Sequence, residues 1–185
     1  MLFSDVAFSL APGRWLHVRG ENGAGKTSLL RVLVGLAHAE AGEMRWAGER
    51  APSQRFREDM LYLGHHAAVK DELTPIENLR TALALDAVPV DDAAILRALA
   101  RLGLRGREEL PVRVLSAGQK RRVLLARLLL RPARLWVLDE AFNALDTAAV
   151  TLLGGLIGEH LAGGGLAVLT SHQPLPLPGG EALTL

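Results

Sequence analysis

Cysteine is absent from all 185 residues, which excludes a disulfide framework and any thiolate metal site and is compatible with a reducing compartment. Net charge is almost absent as well. The 21 Lys and Arg against 20 Asp and Glu leave +1, so no electrostatic case exists for a nucleic-acid partner. Long unbroken apolar runs are also missing. The most apolar stretch, Ala148 to Leu169, is interrupted by Glu159, His160 and several glycines, which makes it a poor bilayer span. Asp5 and its polar neighbours keep the opening residues from reading as a secretory signal. Neither internal repeats nor low-complexity tracts occur. What remains, 49% hydrophobic and 22% charged, is the composition of one globular domain with a sizeable core.

The most informative stretch runs Gly20-Glu21-Asn22-Gly23-Ala24-Gly25-Lys26-Thr27, followed by Ser28. It fits the phosphate-loop pattern of Gly, four residues, Gly-Lys and Ser or Thr. Glycines let successive backbone N–H groups turn inward into an anion-binding concavity. Lys26 supplies a mobile point charge for the outer phosphates, and the Thr27 hydroxyl is a hard ligand suited to Mg2+. The motif needs a strand before it and a helix after it. Arg14 to Arg19 alternates as a strand, and Lys26 to Gly35 reads as an apolar helix whose positive end faces the same anion. The chain is therefore expected to bind a nucleoside triphosphate.

Around this loop the first third reads as strand-rich. Strands are expected at Val6 to Leu10, Glu43 to Ala47 and Met60 to Gly64. The middle turns helical. Thr74-Pro75-Ile76-Glu77 is a capping box with proline at the first helical position. Asp91-Asp92 opens a second helix through Leu104, and Ser116-Ala117-Gly118-Gln119 opens a third that Pro132 closes. Then Leu135 to Leu138 is a continuous apolar run, the pattern of a parallel strand buried on both faces. A helix from Thr147 to Leu161 and a strand from Leu166 to Leu169 follow.

Two further constellations carry chemistry. The apolar run ends in Asp139-Glu140, which places two carboxylates at the carboxyl edge of the sheet, where ligands of open α/β sheets bind. Asp139 suits Mg2+, and Glu140 suits the water that attacks a γ-phosphate. Leu115-Ser116-Ala117-Gly118-Gln119 is a capping box too, but a cap does not need Gly118, which weakens a helix's first turn unless something approaches closely. A Ser hydroxyl, a bare backbone and a positive helix end make a second phosphate binder. One nucleotide needs both only if they come from two subunits.

These residues resemble the motif set of the ATP-binding cassette (ABC) ATPases, in which the 115–119 segment usually has a second glycine at the position of Ala117. Asn143-Ala144-Leu145-Asp146 looks like that family's dimer-interface loop, and His172 like its switch histidine. The resemblance spans essentially the whole chain. It implies an α/β phosphate-loop NTPase fold, with a mostly parallel core sheet, an antiparallel strand-rich N-terminal part and an inserted α-helical subdomain. Residues 1–67 and 132–185 would form the nucleotide-binding lobe and 68–131 the helical part. It further implies ATP and Mg2+ as cofactors and a head-to-tail dimer. Each ATP would lie between the Gly20–Ser28 loop of one copy and Ser116, Ala117, Gly118, Gln119 and Asp146 of the other. Lys26, Glu140 and His172 would be catalytic, and Thr27, Asp139 and His66 would serve the metal.

Leu61 to Leu79, the 115–130 segment and Thr170 to Leu175 are similar, more narrowly, to ATP-binding subunits of the haem exporter of cytochrome c maturation. That likeness implies a peripheral ATPase on the cytoplasmic face of a bacterial inner membrane, docked to transmembrane permease subunits. It would drive haem export or release of haem-loaded chaperone. The chain is not expected to bind haem directly: His65 and His66 are adjacent, so on a strand they would face opposite ways. Three positions depart from the family. His66 stands where a Gln usually reaches Mg2+ and the attacking water, which implies slower or more pH-sensitive hydrolysis. The adenine-stacking aromatic would lie before Leu2, so either the reading frame starts upstream or Phe3 or another residue replaces it. Ala141 replaces a proline after Glu140. Two other readings remain open: an exporter of another substrate, and a hydrolysis-poor regulatory module. A GTPase or kinase is disfavoured by the lack of an Asn-Lys-x-Asp guanine motif and does not explain residues 115–119. A soluble cassette ATPase of the chromosome or translation type would need coiled-coil insertions or duplicated cassettes, for which 185 residues leave no room.

Overall fold

A computed structural model of the chain describes residues 3–65, 68–171, 175 and 177–185. They belong to two compact units, one of Met1–His65, Ala133–Ala141 and Gly154–Leu185, the other of His66–Pro132 and Phe142–Leu153. The sequence-based division kept 142–153 with the nucleotide-binding lobe, whereas its internal packing groups it with the helices.

The first unit is built on five strands: β1 (Trp15–Arg19), β4 (Met60–Leu63), β5 (Leu135–Leu138), β6 (Leu166–Thr170) and β7 (Glu181–Thr184). They lie in the order β4-β5-β6-β1-β7, and every neighbouring pair is parallel. All residues of β5 and β6 are buried, as expected of central parallel strands covered on both faces. β2 (Met44–Trp46) and β3 (Glu49–Ala51) form a separate antiparallel pair, the N-terminal antiparallel element expected. The core brings Leu16, Val18, Val137 and Val168 from the sheet against Leu29 and Leu30 of α1 (Lys26–Leu33) and Phe56 of α2 (Gln54–Asp59). Burying a side chain such as Phe56 contributes roughly 1.5–3 kcal/mol. Trp136 stacks flat on His160 of α7 (Thr147–Ala162), with ring centroids 3.9 Å apart.

Val6 to Leu10 is not a strand. Its residues alternate as expected, but β1 is flanked on both sides by β6 and β7, so no ladder is open to it there. β7 takes the edge instead, a role its exposed sequence did not announce.

The second unit packs α3 (Pro75–Leu85), α4 (Asp92–Arg101), α5 (Ala117–Leu125) and α6 (Arg127–Leu130). Leu79, Leu83, Ile95, Leu99 and Val123 are buried in it. Both expected capping boxes are formed, at Thr74 with Glu77 and at Ser116 with Gln119; such caps are worth about 1 kcal/mol each. The third predicted helix is two, because the chain breaks step at Ala126 between α5 and α6. Asp86 accepts ion pairs from Arg127 at 2.9 Å and Arg131 at 3.3 Å. Buried Asn78 closes the 70–74 loop. Its Oδ1 accepts from Lys70 N at 2.7 Å, and its Nδ2 donates to the carbonyls of Lys70 and Thr74, each at 3.0 Å.

Candidate functional site

The parallel order sends the ends of β5, β6 and β1 out of the same edge of the sheet, side by side. Each end carries polar residues. After β1 comes the loop of Gly20 to Lys26. Gly20 has φ 150°, and a Cβ there would lie 3.2 Å from the carbonyl oxygen of Leu185. Gly25 caps α1 at φ 102°, a conformation that strains any residue with a Cβ. Lys26 is 7% exposed, and its ammonium curls back to donate to the carbonyls of Gly20 at 2.8 Å and Glu21 at 2.9 Å. The charge is therefore held inside the loop by two backbone carbonyls.

After β5 comes Asp139, 1% exposed. Its two oxygens accept from the first turn of α1 and from the end of β6: Oδ2 from the Thr27 hydroxyl at 2.9 Å, and Oδ1 from the Thr170 hydroxyl at 2.7 Å. Thr170 Oγ1 in turn accepts from the backbone N of Glu140 at 2.8 Å. Glu140 has φ 50°, a left-handed turn that sends consecutive carboxylates to different places. Its Oε2 lies 3.0 Å from His65 Nδ1. Burial and the Asp139 charge raise the Tyr62 hydroxyl above its usual pKa, against a smaller lowering by Arg31.

Beside this edge His17 of β1 is buried. Arg19 Nε donates to its Nδ1 at 2.9 Å, so Nε2 carries the hydrogen that faces Ser171 O at 3.4 Å. Burial is the main cause that holds this imidazole below its ordinary value. Arg19 lowers it further, and the Ser171 carbonyl opposes both.

Of the sequence-predicted residues, the structure brings together Gly20, Glu21, Asn22, Gly23, Ala24, Gly25, Lys26, Thr27 and Ser28 with Asp139 and Glu140 in the first unit. Ser116, Ala117, Gly118, Gln119 and Asp146 belong to the second. There Asp146 caps α7 by accepting from Ala149 N at 2.8 Å and forms an ion pair with Arg122. His66 and His172 lie outside the described residues. Thr170 and His65 join the site without having been predicted. The signal for Thr170 was its place directly before Ser171-His172, at the end of an apolar run; His65 had only its place after β4. The strand stops at Leu63, so strand alternation does not govern which way His65 faces.

Thr27 and Asp139 offer hard oxygens, the donor set Mg2+ prefers. Among the described residues no three His, Cys, Asp or Glu cluster as a metal site.

A phosphate loop, two strand-end carboxylates and a helical unit that opens a helix with Ser116 define a class, and the comparisons agree with it. The chain belongs to the ABC transporter family, whose model matches residues 3–143. Within that family it is similar to the cytochrome c biogenesis ATP-binding export proteins CcmA. That of Methylococcus capsulatus is 51% identical over 97% of this chain and 87% of its own length. That of Dechloromonas aromatica is 52% identical over 100% of this chain and 91% of its own. Among solved structures, an ABC transporter ATP-binding protein from Pyrococcus furiosus superposes with a TM-score of 0.85 at 24% identity, covering 97% of this chain and 88% of its own, which supports the fold. The chain is thus an ABC-type ATPase subunit, a class that works with membrane partners. Among the described residues, no helix is long and apolar enough to cross a membrane.

Proposed function

We propose that this chain is the ATP-hydrolysing subunit that powers haem export, or release of haem-loaded chaperone, in cytochrome c biogenesis. The observation that carries the ATPase reading is the network beside the Lys26 loop, in which Thr27 and Thr170 donate to Asp139 and Thr170 accepts from the Glu140 backbone N–H. The haem pathway rests on the identity with the cytochrome c biogenesis proteins over nearly the whole chain.

In this reading the Gly20–Ser28 backbone cradles the phosphates, and Lys26 moves from the carbonyls of Gly20 and Glu21 to the outer phosphate oxygens. Thr27, Asp139 and His66 would hold Mg2+. When bound, the ion neutralises charge that develops on the transferred phosphoryl group. Glu140 takes a proton from the attacking water, and His172 steadies the γ-phosphate. Ser116, Ala117, Gly118, Gln119 and Asp146 of a second copy close the site head to tail. The subunit docks peripherally to transmembrane permease subunits on the cytoplasmic face of a bacterial inner membrane, and binds neither haem nor nucleic acid itself.

The test is steady-state ATP hydrolysis by the chain assembled with its permease in lipid vesicles, alongside c-type cytochrome assembly in cells that carry only the variant. Glu140→Gln is expected to lower turnover about 10²- to 10⁴-fold, the usual span for a general base, and to abolish cytochrome assembly. Normal cytochrome assembly with an inactive Glu140→Gln chain would overturn the pathway. Normal turnover in that variant would overturn the role of Glu140 and favour a different hydrolytic arrangement.

A further inference from the structure

The backbone places His65 against Glu140. Asp139 N donates to Leu63 O at 2.9 Å, which carries the β4–β5 pairing one residue beyond both strands. Gly64 and His65 therefore run alongside Glu140 as the two strands end. The Glu140 carboxylate is only 13% exposed, and its Oε2 meets His65 Nδ1 at 3.0 Å. An ionised carboxylate only accepts, so Nδ1 carries the hydrogen and donates. From the other side, Thr170 Oγ1 takes the Glu140 backbone N–H at 2.8 Å. A glutamate at φ 50° is held in a sparsely populated conformation, which persists where its surroundings over-determine it. Here one flank holds the main chain and the other holds the carboxylate.

We propose that His65 is a positioning residue for the hydrolytic water: through Nδ1 it orients the Glu140 carboxylate. This rests on the reading of Glu140 as the base. A carboxylate has about four lone-pair sites, so one donor fixes its orientation and leaves it able to accept a proton. The geometry matches the general arrangement of a base oriented by a third group. The role requires only an N–H at the Nδ1 position, and the imidazole donates that hydrogen whether neutral or charged.

The experiment measures kcat and KM for ATP, with thermal unfolding, for the full chain assembled with its membrane partners. His65→Ala is expected to lower kcat about tenfold, the lower end for loss of an orienting contact, with KM and the melting temperature unchanged. His65→Asn, whose amide nitrogen can stand where Nδ1 stood, is expected to recover most of kcat. In a Glu140→Gln background His65→Ala is expected to have no further effect. Unchanged or raised kcat in His65→Ala, while Glu140→Gln is inactive, overturns the positioning role alone. So does a loss that Asn fails to rescue, or one that follows KM or melting temperature instead of kcat. Wild-type turnover in Glu140→Gln overturns the underlying assignment and this inference with it.

Discussion

Gly118 lies so close to the main chain of Ala144 that a Cβ on it would stand 2.9 Å from the Ala144 carbonyl oxygen. The two segments belong to the same unit, and the Arg122–Asp146 ion pair ties them a second time. In the sequence Gly118 looks like a concession to an approaching ligand. The structure supplies a nearer reason, the backbone of the 143–146 segment. That segment and α5 are one piece.

Gly118→Ala therefore sets two effects against each other. Alanine favours a helix over glycine by about 1 kcal/mol, while forcing a methyl against backbone costs about 1–3 kcal/mol. Because the obstacle is a carbonyl oxygen and not a movable side-chain tip, the clash is expected to win. Urea unfolding of the variant should show a net loss of stability; a gain would mean the 143–146 segment yields freely.

Thr170→Val keeps the shape of the side chain and removes its hydroxyl. Buried Asp139 loses the donor to Oδ1 and the Glu140 N–H loses its acceptor, each worth about 1–3 kcal/mol when left unmet. A lower unfolding midpoint and lower kcat are expected together, with Thr170→Ser close to wild type in both. Equal stability of the Val and Ser variants would show that the hydroxyl bridge carries no energy.

Asn78→Ala deletes the amide bonds to Lys70, Leu73 and Thr74 that close the 70–74 loop, and leaves the Lys120–Asp71 and Glu77–Thr74 contacts in place. With a buried site left polar and unmatched, a loss of roughly 2–3 kcal/mol is expected, and limited proteolysis should cut within 70–74 before anywhere else in that unit. Wild-type resistance at that loop would count against the assignment.

Acid is expected to weaken the fold. Burial is the leading cause that holds both His17 and His160 below their ordinary value of 6.5. At His160 the carbonyls of Leu166 and Arg134 oppose the shift. Above pH 6.5 both are neutral, folded or not, and the stability they permit is fully present. Below it the unfolded chain takes up protons that the folded chain resists, so stability falls until the folded-state groups also titrate. Unfolding midpoints compared at pH 7.5 and 5.5 should drop, and drop less in His17→Gln. A midpoint that is flat across this range would contradict the burial of both rings.

Much of this was legible along the chain. β1, β4, β5 and β6 declared themselves as apolar or alternating runs, and the boxes at Thr74 and Ser116 formed as written, because caps are local chemistry. What failed was what depends on pairing. Val6 to Leu10 has the right alternation and no partner; β7 has a poor pattern and an open edge of β1 to join. The carboxylates at 139 and 140 were readable as a pair, but not the turn that separates them. Torsions such as the φ of Glu140, and the His65 and Thr170 contacts it permits, come from neighbouring strands far away in the chain.

The pairing of β1 with β6 on one side and β7 on the other also sets the order of events at synthesis. The phosphate-loop strand leaves the ribosome before either of its neighbours, with the helical unit made in between. Until then it is a lone strand with two bare ladders, and contacts of such long sequence separation form slowly. The strand that leads into the nucleotide loop is therefore not laddered into the sheet until β6 and β7 have been made.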